Sequence, residues 1–386
     1  MKPELDSLAK VMAWLTSPVP AVFQGQDLSG LAARIAAQDL TDCVFLGCAM
    51  TTELSEAAAR YECFVIPKRT NLPFDPFTPG LYAPLELFDR LATGDTYQEC
   101  IDRIIYESYV DPVTRLEKPA DVDTHLLRRV HDWSIADALD ELLDLETRKK
   151  TVAIMGGHDV PRDKPIFATV ARLALSLAKE GYLVLTGGGP GLMEAGNLGA
   201  YCNGFADPEA TLQTVLDLII SAPKYDHPEW LTKAYAAWTT IGDPDNPAKS
   251  KNVGIPTWFY GHEPPNIFST HIAKYFENSV REEGLLAVAL GGIIFAEGNG
   301  GTVQEIFQDA NQNYYRTYAK VKSPMILFGV DYWAPPDMVR HNPVDKRKKL
   351  YPVLEKLAVE KGFSDYLLIT DDTAAILKFI KDHPPV

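Results

Sequence analysis

Cysteine is scarce in this chain of 386 residues. Its five cysteines, Cys43, Cys48, Cys63, Cys100 and Cys202, are an odd number with no Cys-x-x-Cys pair and no Cys/His spacing suited to zinc. They are expected to be reduced, mostly packed thiols, which excludes a disulfide scaffold and a zinc module. Long apolar runs are lacking as well. No stretch reaches the roughly 18 apolar residues of a membrane span, and the amphipathic opening MKPELDSLAKVMAWL lacks the apolar core of a signal peptide. The expectation is a cytoplasmic protein. Positive charge is also short, with 37 Lys and Arg against 52 Asp and Glu, a net −15 at pH 7. Nucleic-acid polymers and anionic membranes recruit clustered Lys and Arg, so neither is expected as a partner. A local basic pocket for one small anion stays open. Two common hydrolase signatures are missing too, His-Glu-x-x-His and Gly-x-Ser-x-Gly.

What is present is the balance of a globular protein, 46% apolar and 23% charged, in a chain long enough for two or three cores. A boundary is expected near residue 150. Before it, Trp133 to Lys150 carries apolar residues at helical spacing and ends in a basic turn; after it, Thr151–Met155 is a β-branched run meeting Gly156 and Gly157. Further strands are expected at Leu183–Thr186, Val253–Trp258, Ile293–Ala296, Met325–Phe328 and Tyr366–Thr370. Helices are expected at Ile166–Glu180, after Pro190, and at Asn266–Arg281, Thr302–Tyr315 and Lys349–Lys361. This alternation predicts an α/β fold, a doubly wound, Rossmann-like parallel sheet over residues 151–386, with ligands bound where strands run into helices. Residues 207–251 interrupt it as a helical insertion, either a cap over the strand ends or extra packing. Residues 1–150 are expected to form an N-terminal accessory domain. Within it QDLS at 26–29 recurs as QDLT at 38–41, the mark of a short β-coil repeat or an accidental similarity within a small α/β unit.

Gly187-Gly188-Gly189-Pro190-Gly191 follows the strand LVLT and leads into a helix. Glycine allows the sharp turn and lets an anion approach the helix-start N–H groups, and Pro190 suits a first helical position. A dinucleotide fingerprint starting at Gly187 requires glycine where Leu192 stands, and no Gly-Lys-Ser/Thr follows, so a dinucleotide-dependent oxidoreductase loses support. A second such loop runs from Glu297 through Gly298, Asn299, Gly300 and Gly301 to Thr302, with Glu305 three residues on, in the expected first turn. Thr302 and Glu305 read equally as a capping box. A third, Gly156-Gly157-His158-Asp159, follows the first strand of this region.

The pair GGGPGLMEAGNLGAY and EGNGGTVQE, in this order and on these elements, resembles the lonely-guy (LOG) family of nucleoside 5′-monophosphate phosphoribohydrolases over roughly residues 150 to 380. Gly298, Gly301, Thr302 and Glu305 match the family motif P-G-G-x-G-T-x-x-E; Glu297 stands at its proline and Asn299 at its second glycine. With its extra N-terminal domain the chain is similar to the longer bacterial members, whose relatives include nucleotide 5′-monophosphate nucleosidases. The resemblance implies hydrolysis of the N-glycosidic bond of a nucleoside 5′-monophosphate to free base and ribose 5-phosphate, without cofactor or metal, by a homodimer or larger homo-oligomer. It implies Glu305 and Arg281 as catalytic residues. The three glycine loops together supply Gly156, Gly157, His158, Gly187, Gly188, Gly189, Gly191, Gly298, Asn299, Gly300, Gly301 and Thr302 as the candidate substrate- and phosphate-binding residues.

Such a cleavage passes through an oxocarbenium-like ribose. At a helix start Glu305 is expected to stay ionised, stabilising that positive charge or orienting water rather than donating a proton. Arg281 would hold phosphate or polarise the leaving base. His158 or Asp159 is a candidate for protonating the base or holding a ribose hydroxyl, and His262 and Asn266 for recognising the base. Glu297 sets a carboxylate beside a phosphate cradle, which repels a dianion unless it points away or is offset. The alternative kept open is a non-catalytic nucleotide-binding or sensing protein.

Overall fold

Short β-branched runs closed by glycine or proline become strands, and the amphipathic segments between them become the helices that cover the sheets. The structure, a computed structural model, describes residues 2–111, 113–260, 264–337 and 345–386. The chain divides into two compact units, Met1–Leu81 with Lys118–Leu139 and Tyr82–Glu117 with Asp140–Val386. A single boundary near residue 150 is therefore corrected: the chain passes between units three times.

In the first unit, β1 (Glu4–Leu5), β2 (Val22–Gln24), β3 (Val44–Leu46) and β4 (Phe64–Ile66) form a parallel sheet in chain order. Helices Leu8–Trp14, Ala32–Ala36 and Thr52–Arg60 intervene. Their apolar sides join a core in which Phe23 stacks on Phe45 at 4.6 Å. The unit is thus a small α/β layer and not a β-coil. The repeated QDL(S/T) segments are its turns: Asp27 accepts from the Ser29 N–H (3.0 Å) and hydroxyl (2.6 Å), and Asp39 accepts from Thr41 likewise (2.9 and 2.6 Å).

The second unit holds β5 (Thr151–Met155), β6 (Leu183–Thr186), β7 (Asn252–Gly254), β8 (His271–Ile272), β9 (Gly292–Phe295), β10 (Met325–Phe328) and β11 (Leu367–Thr370). They pair in parallel in the order β11-β10-β9-β5-β6-β7-β8, which is the doubly wound sheet expected. Strand order reverses between β5 and β9. Loops leaving these two strands diverge there, and a crevice opens at their C-terminal ends.

Residues 82–117 belong with this sheet because Asp102, on helix Ile101–Tyr109, is buried in it. Its carboxylate meets Lys274 Nζ at 2.6 Å and accepts from Trp258 Nε1 (2.9 Å) and the Tyr97 hydroxyl (2.8 Å). A buried charge is tolerable only when paired and hydrogen-bonded, as here. In the insertion, helices Pro208–Ile219 and Trp230–Ile241 pack on the core beside helix Leu192–Cys202. No helix among the described residues is long and apolar enough to cross a membrane.

Several element boundaries differ from expectation, three of them near the loops that follow the strands. The helix expected over Asn266–Arg281 is instead an irregular segment containing β8, followed by helix Asn278–Ala287. Asn266 to Phe276 is buried almost throughout, so it has no solvent face for an amphipathic helix to present. The strand expected over Val253–Trp258 ends at Gly254, since Pro256 has no N–H to continue the ladder. Helix Gly300–Tyr315 starts two residues before Thr302, so no capping box forms and Glu305 falls in the second turn.

Candidate functional site

Three loops meet at the sheet's point of reversal. Gly157 N–H donates to the Glu297 carbonyl at 2.7 Å, and Leu192 N–H donates to the Gly157 carbonyl at 3.1 Å, so the turns after β5, β6 and β9 are stitched together through their backbones. Gly191 makes this possible. Its φ of +67° is left-handed, and a Cβ there would strike the carbonyls of Gly157 and His158.

Between the loops lies a cavity of about 340 Å³. Gly156, Gly157, His158, Gly187, Asn299, Gly301, Thr302, Arg281 and Glu305 line it, together with Met155, Met193, Tyr260 and Glu282. The remaining expected residues lie elsewhere. Gly188, Gly189 and Gly191 are buried behind the wall: Asn266 N–H donates to the Gly188 carbonyl (2.8 Å) and its amide to the Gly189 carbonyl (3.1 Å). The helix-start N–H of Leu192 is spent on Gly157, so that donor of the glycine run serves close packing and is not open to an anion. Pro190 lies outside the helix, which begins at Leu192. Gly300 is exposed and off the lining, and Gly298 is buried beside Thr302.

Asn266 is also displaced from its expected role. It is fully buried, and its amide donates to Asn197 Oδ1 (2.8 Å), which also accepts from Thr186 Oγ1 (2.6 Å), while Asn197 Nδ2 donates to Asn252 (2.8 Å). This network holds the β6 turn and leaves Asn266 unable to touch a ligand. His262 lies outside the described residues. His158 is on the lining with its ring edge-to-face against Tyr225, and Asp159 pairs with Lys346 at 2.8 Å, off the lining.

Arg281 and Glu305 face each other across the cavity. Arg281, in the first turn of its helix, donates from Nε to the Ile255 carbonyl (2.8 Å), which leaves its outer nitrogens toward Gly187 and Glu305. A Cβ on Gly187 would lie 2.5 Å from Arg281 Nη2, so glycine there makes room for the guanidinium. Arg281 Nη1 stands 4.0 Å from Glu305 Oε1, and the two side chains are 11% and 13% exposed.

Burial pushes the Glu305 carboxyl up to about 7; Arg281 opposes this and Glu282 adds to it. The expectation of a firmly ionised Glu305 is thereby corrected. In the second turn it is beyond the reach of the helix-start N–H groups, and desolvation outweighs Arg281. Glu282 is fixed by amide donors from Asn278 (2.7 Å) and Gln304 (2.8 Å).

At the helix start beside them, Gly301 and Thr302 line the cavity, and their N–H groups precede any intrahelical acceptor, a position suited to an anion. Glu297 does not line this cavity, and burial raises its carboxyl too. Among the described residues no three His, Cys, Asp or Glu side chains converge as a metal site.

Sequence reasoning missed Met193, Tyr260 and Glu282 on the lining, and the buried pair behind it. Arg162 reaches Glu194 through Nε (2.9 Å) and Nη2 (2.5 Å) and caps the Ala222 and Trp230 carbonyls at 3.1 Å, tying the insertion to the helix that follows β6. The one available signal was Glu194 itself, inside the glycine motif.

No protein-family model matches this sequence, and no curated protein matches it. Among solved structures it is similar to the molybdenum cofactor binding protein from the phototrophic bacterium Rippkaea orientalis, at 14% identity and a TM-score of 0.34, covering 60% of this chain and 95% of that one.

Proposed function

We propose that the protein hydrolyses the N-glycosidic bond of nucleoside 5′-monophosphates, releasing free base and ribose 5-phosphate. The observation that carries this reading is the Arg281–Glu305 pair, 4.0 Å apart in a cavity that the helix-start residues Gly301 and Thr302 also line; burial pushes the Glu305 carboxyl up to about 7. Phosphate is held by the Gly301 and Thr302 N–H groups and by Arg281. Near pH 7 about half of Glu305 is protonated, so it serves first as acid and then as base. As the C1′–N bond breaks, its proton goes to the departing base nitrogen, and the carboxylate left behind faces the oxocarbenium ribose. Water then bonds to C1′ and returns a proton to Glu305, so that one water is consumed per bond broken. The enclosing walls keep these charges in a low dielectric, where they act most strongly.

The test is incubation of the purified chain with AMP, GMP, CMP and UMP, followed by chromatography for free base. Release is expected, and Glu305→Gln abolishes it while retaining nucleotide binding. Nucleotides that raise the melting temperature without any release would replace this reading with a binding or sensing role.

A further inference from the structure

Glu297 is the position at which the chain departs most sharply from the glycine-loop motif, and the chemistry above does not use it. A second cavity, of about 440 Å³, adjoins the first at Asn299, which lines both. Glu297 lines this second space. Its walls are largely apolar, from Val160, Pro161, Ile166 and the Tyr332 ring. Tyr332 is fixed in place, since its hydroxyl donates to the Gly298 carbonyl at 2.6 Å.

Two charged side chains in this cavity have no side-chain hydrogen bond or ion pair among the described residues, Glu297 and Lys164. Asp159 and Lys346, also on the lining, neutralise each other at 2.8 Å. A half-buried carboxylate without donors is costly, and burial alone accounts for the rise in the Glu297 pKa. A fitting ligand is therefore flat and apolar on its faces, with adjacent N–H donors on one edge and acceptors on the next. Guanine has this pattern: N1–H and N2–H on one edge, O6 and N7 beside it. Adenine sets the N1 lone pair toward the carboxylate, and hypoxanthine lacks the second donor.

We propose that the second cavity binds a guanine ring, with Glu297 accepting from N1–H and N2–H and Lys164 donating to O6 or N7. The ring arrives either as the base of the nucleotide held at Glu305 or on a second guanine nucleotide. Neither case depends on turnover.

Calorimetric titration of the full chain with GMP, IMP and AMP tests this. A charge-assisted bidentate contact discriminates by roughly tenfold to a hundredfold, so GMP is expected to bind that much more tightly than AMP, with IMP between. Glu297→Gln replaces one acceptor with a donor that matches adenine N1. It is expected to cancel or reverse the GMP preference, a change that a merely structural role for Glu297 does not produce. One GMP per chain assigns the ring to the nucleotide at Glu305 and two assign it to a separate molecule; either count upholds the guanine site. Equal GMP and AMP affinities in the unaltered chain, no binding of any of the three, or an unchanged preference in Glu297→Gln overturns it. Guanine selectivity without base release would sink the glycosidase reading and leave this site standing, while release without selectivity would do the reverse.

Discussion

Replacing Glu305 by glutamine is expected to stabilise the protein, and increasingly so as pH rises. The folded carboxyl is pushed from the ordinary 4.5 up to about 7, chiefly by burial. Between those two values the folded chain holds a proton that the unfolded chain has released, so stability falls as pH climbs through this window. Below 4.5 both states are protonated and the group contributes nothing; above about 7 both are ionised and the full penalty applies. At about 1.4 kcal/mol per pH unit, that penalty is about 3 kcal/mol at pH 8 and below about 1 kcal/mol at pH 5. Glutamine has the same shape and no proton to exchange. Its stability advantage over glutamate is therefore expected to grow by about 2.5 kcal/mol between pH 5 and pH 8. At roughly 2 °C per kcal/mol for a unit of this size, calorimetric melting should show the gap widening by roughly 5 °C. A gap that stays constant with pH, or that narrows, would refute the claim that desolvation outweighs Arg281 at this carboxylate.

The same protonation state sets an activity profile. Base release, measured by chromatography across pH 5 to 9, is expected to decline above about pH 7 as Glu305 loses the proton it gives to the leaving group. Arg281→Met is expected to weaken nucleotide binding at least tenfold by calorimetry while leaving the fold intact, because the guanidinium is the one Lys or Arg on the cavity lining among the described residues. Glu194→Ala strands the buried Arg162 charge and is expected to cost about 3–5 kcal/mol in urea unfolding, most of it regained when Arg162→Met is added. Gly191→Ala combines a left-handed φ with a clash against the 157–158 carbonyls, so it is expected to lower the melting temperature by several degrees and to reduce nucleotide binding as the loop after β5 moves.

The parts of this architecture that depend on local chemistry were readable in the sequence, and those that depend on neighbours were not. β5, β6, β9 and β10 are short apolar or β-branched runs ended by glycine or a turn, and each is buried along nearly its whole length, so the pattern and the packing agree. Asn266 to Phe276 has apolar residues at intervals that mimic a helix, yet it is packed against distant segments: β7 and Tyr82 pair with β8, and Asp102 and Tyr109 meet Lys274 and Phe276. No spacing rule anticipates that. The run Gly187 to Gly191 announced a tight turn correctly, but its reason is the backbone of the 156–158 loop pressed against it, a partner some 30 residues earlier in the chain. Glu305 shows the limit most clearly. Its distance from Thr302 suggested a helix start and a fixed negative charge, whereas two extra residues of helix and the enclosing walls turn the same side chain into a group that exchanges its proton near neutrality. Glu297 followed the same logic in reverse: the clash expected between its charge and a phosphate disappears because the chain turns that carboxylate out of the first cavity and into the lining of the second, a consequence of loop geometry that residue type alone does not encode.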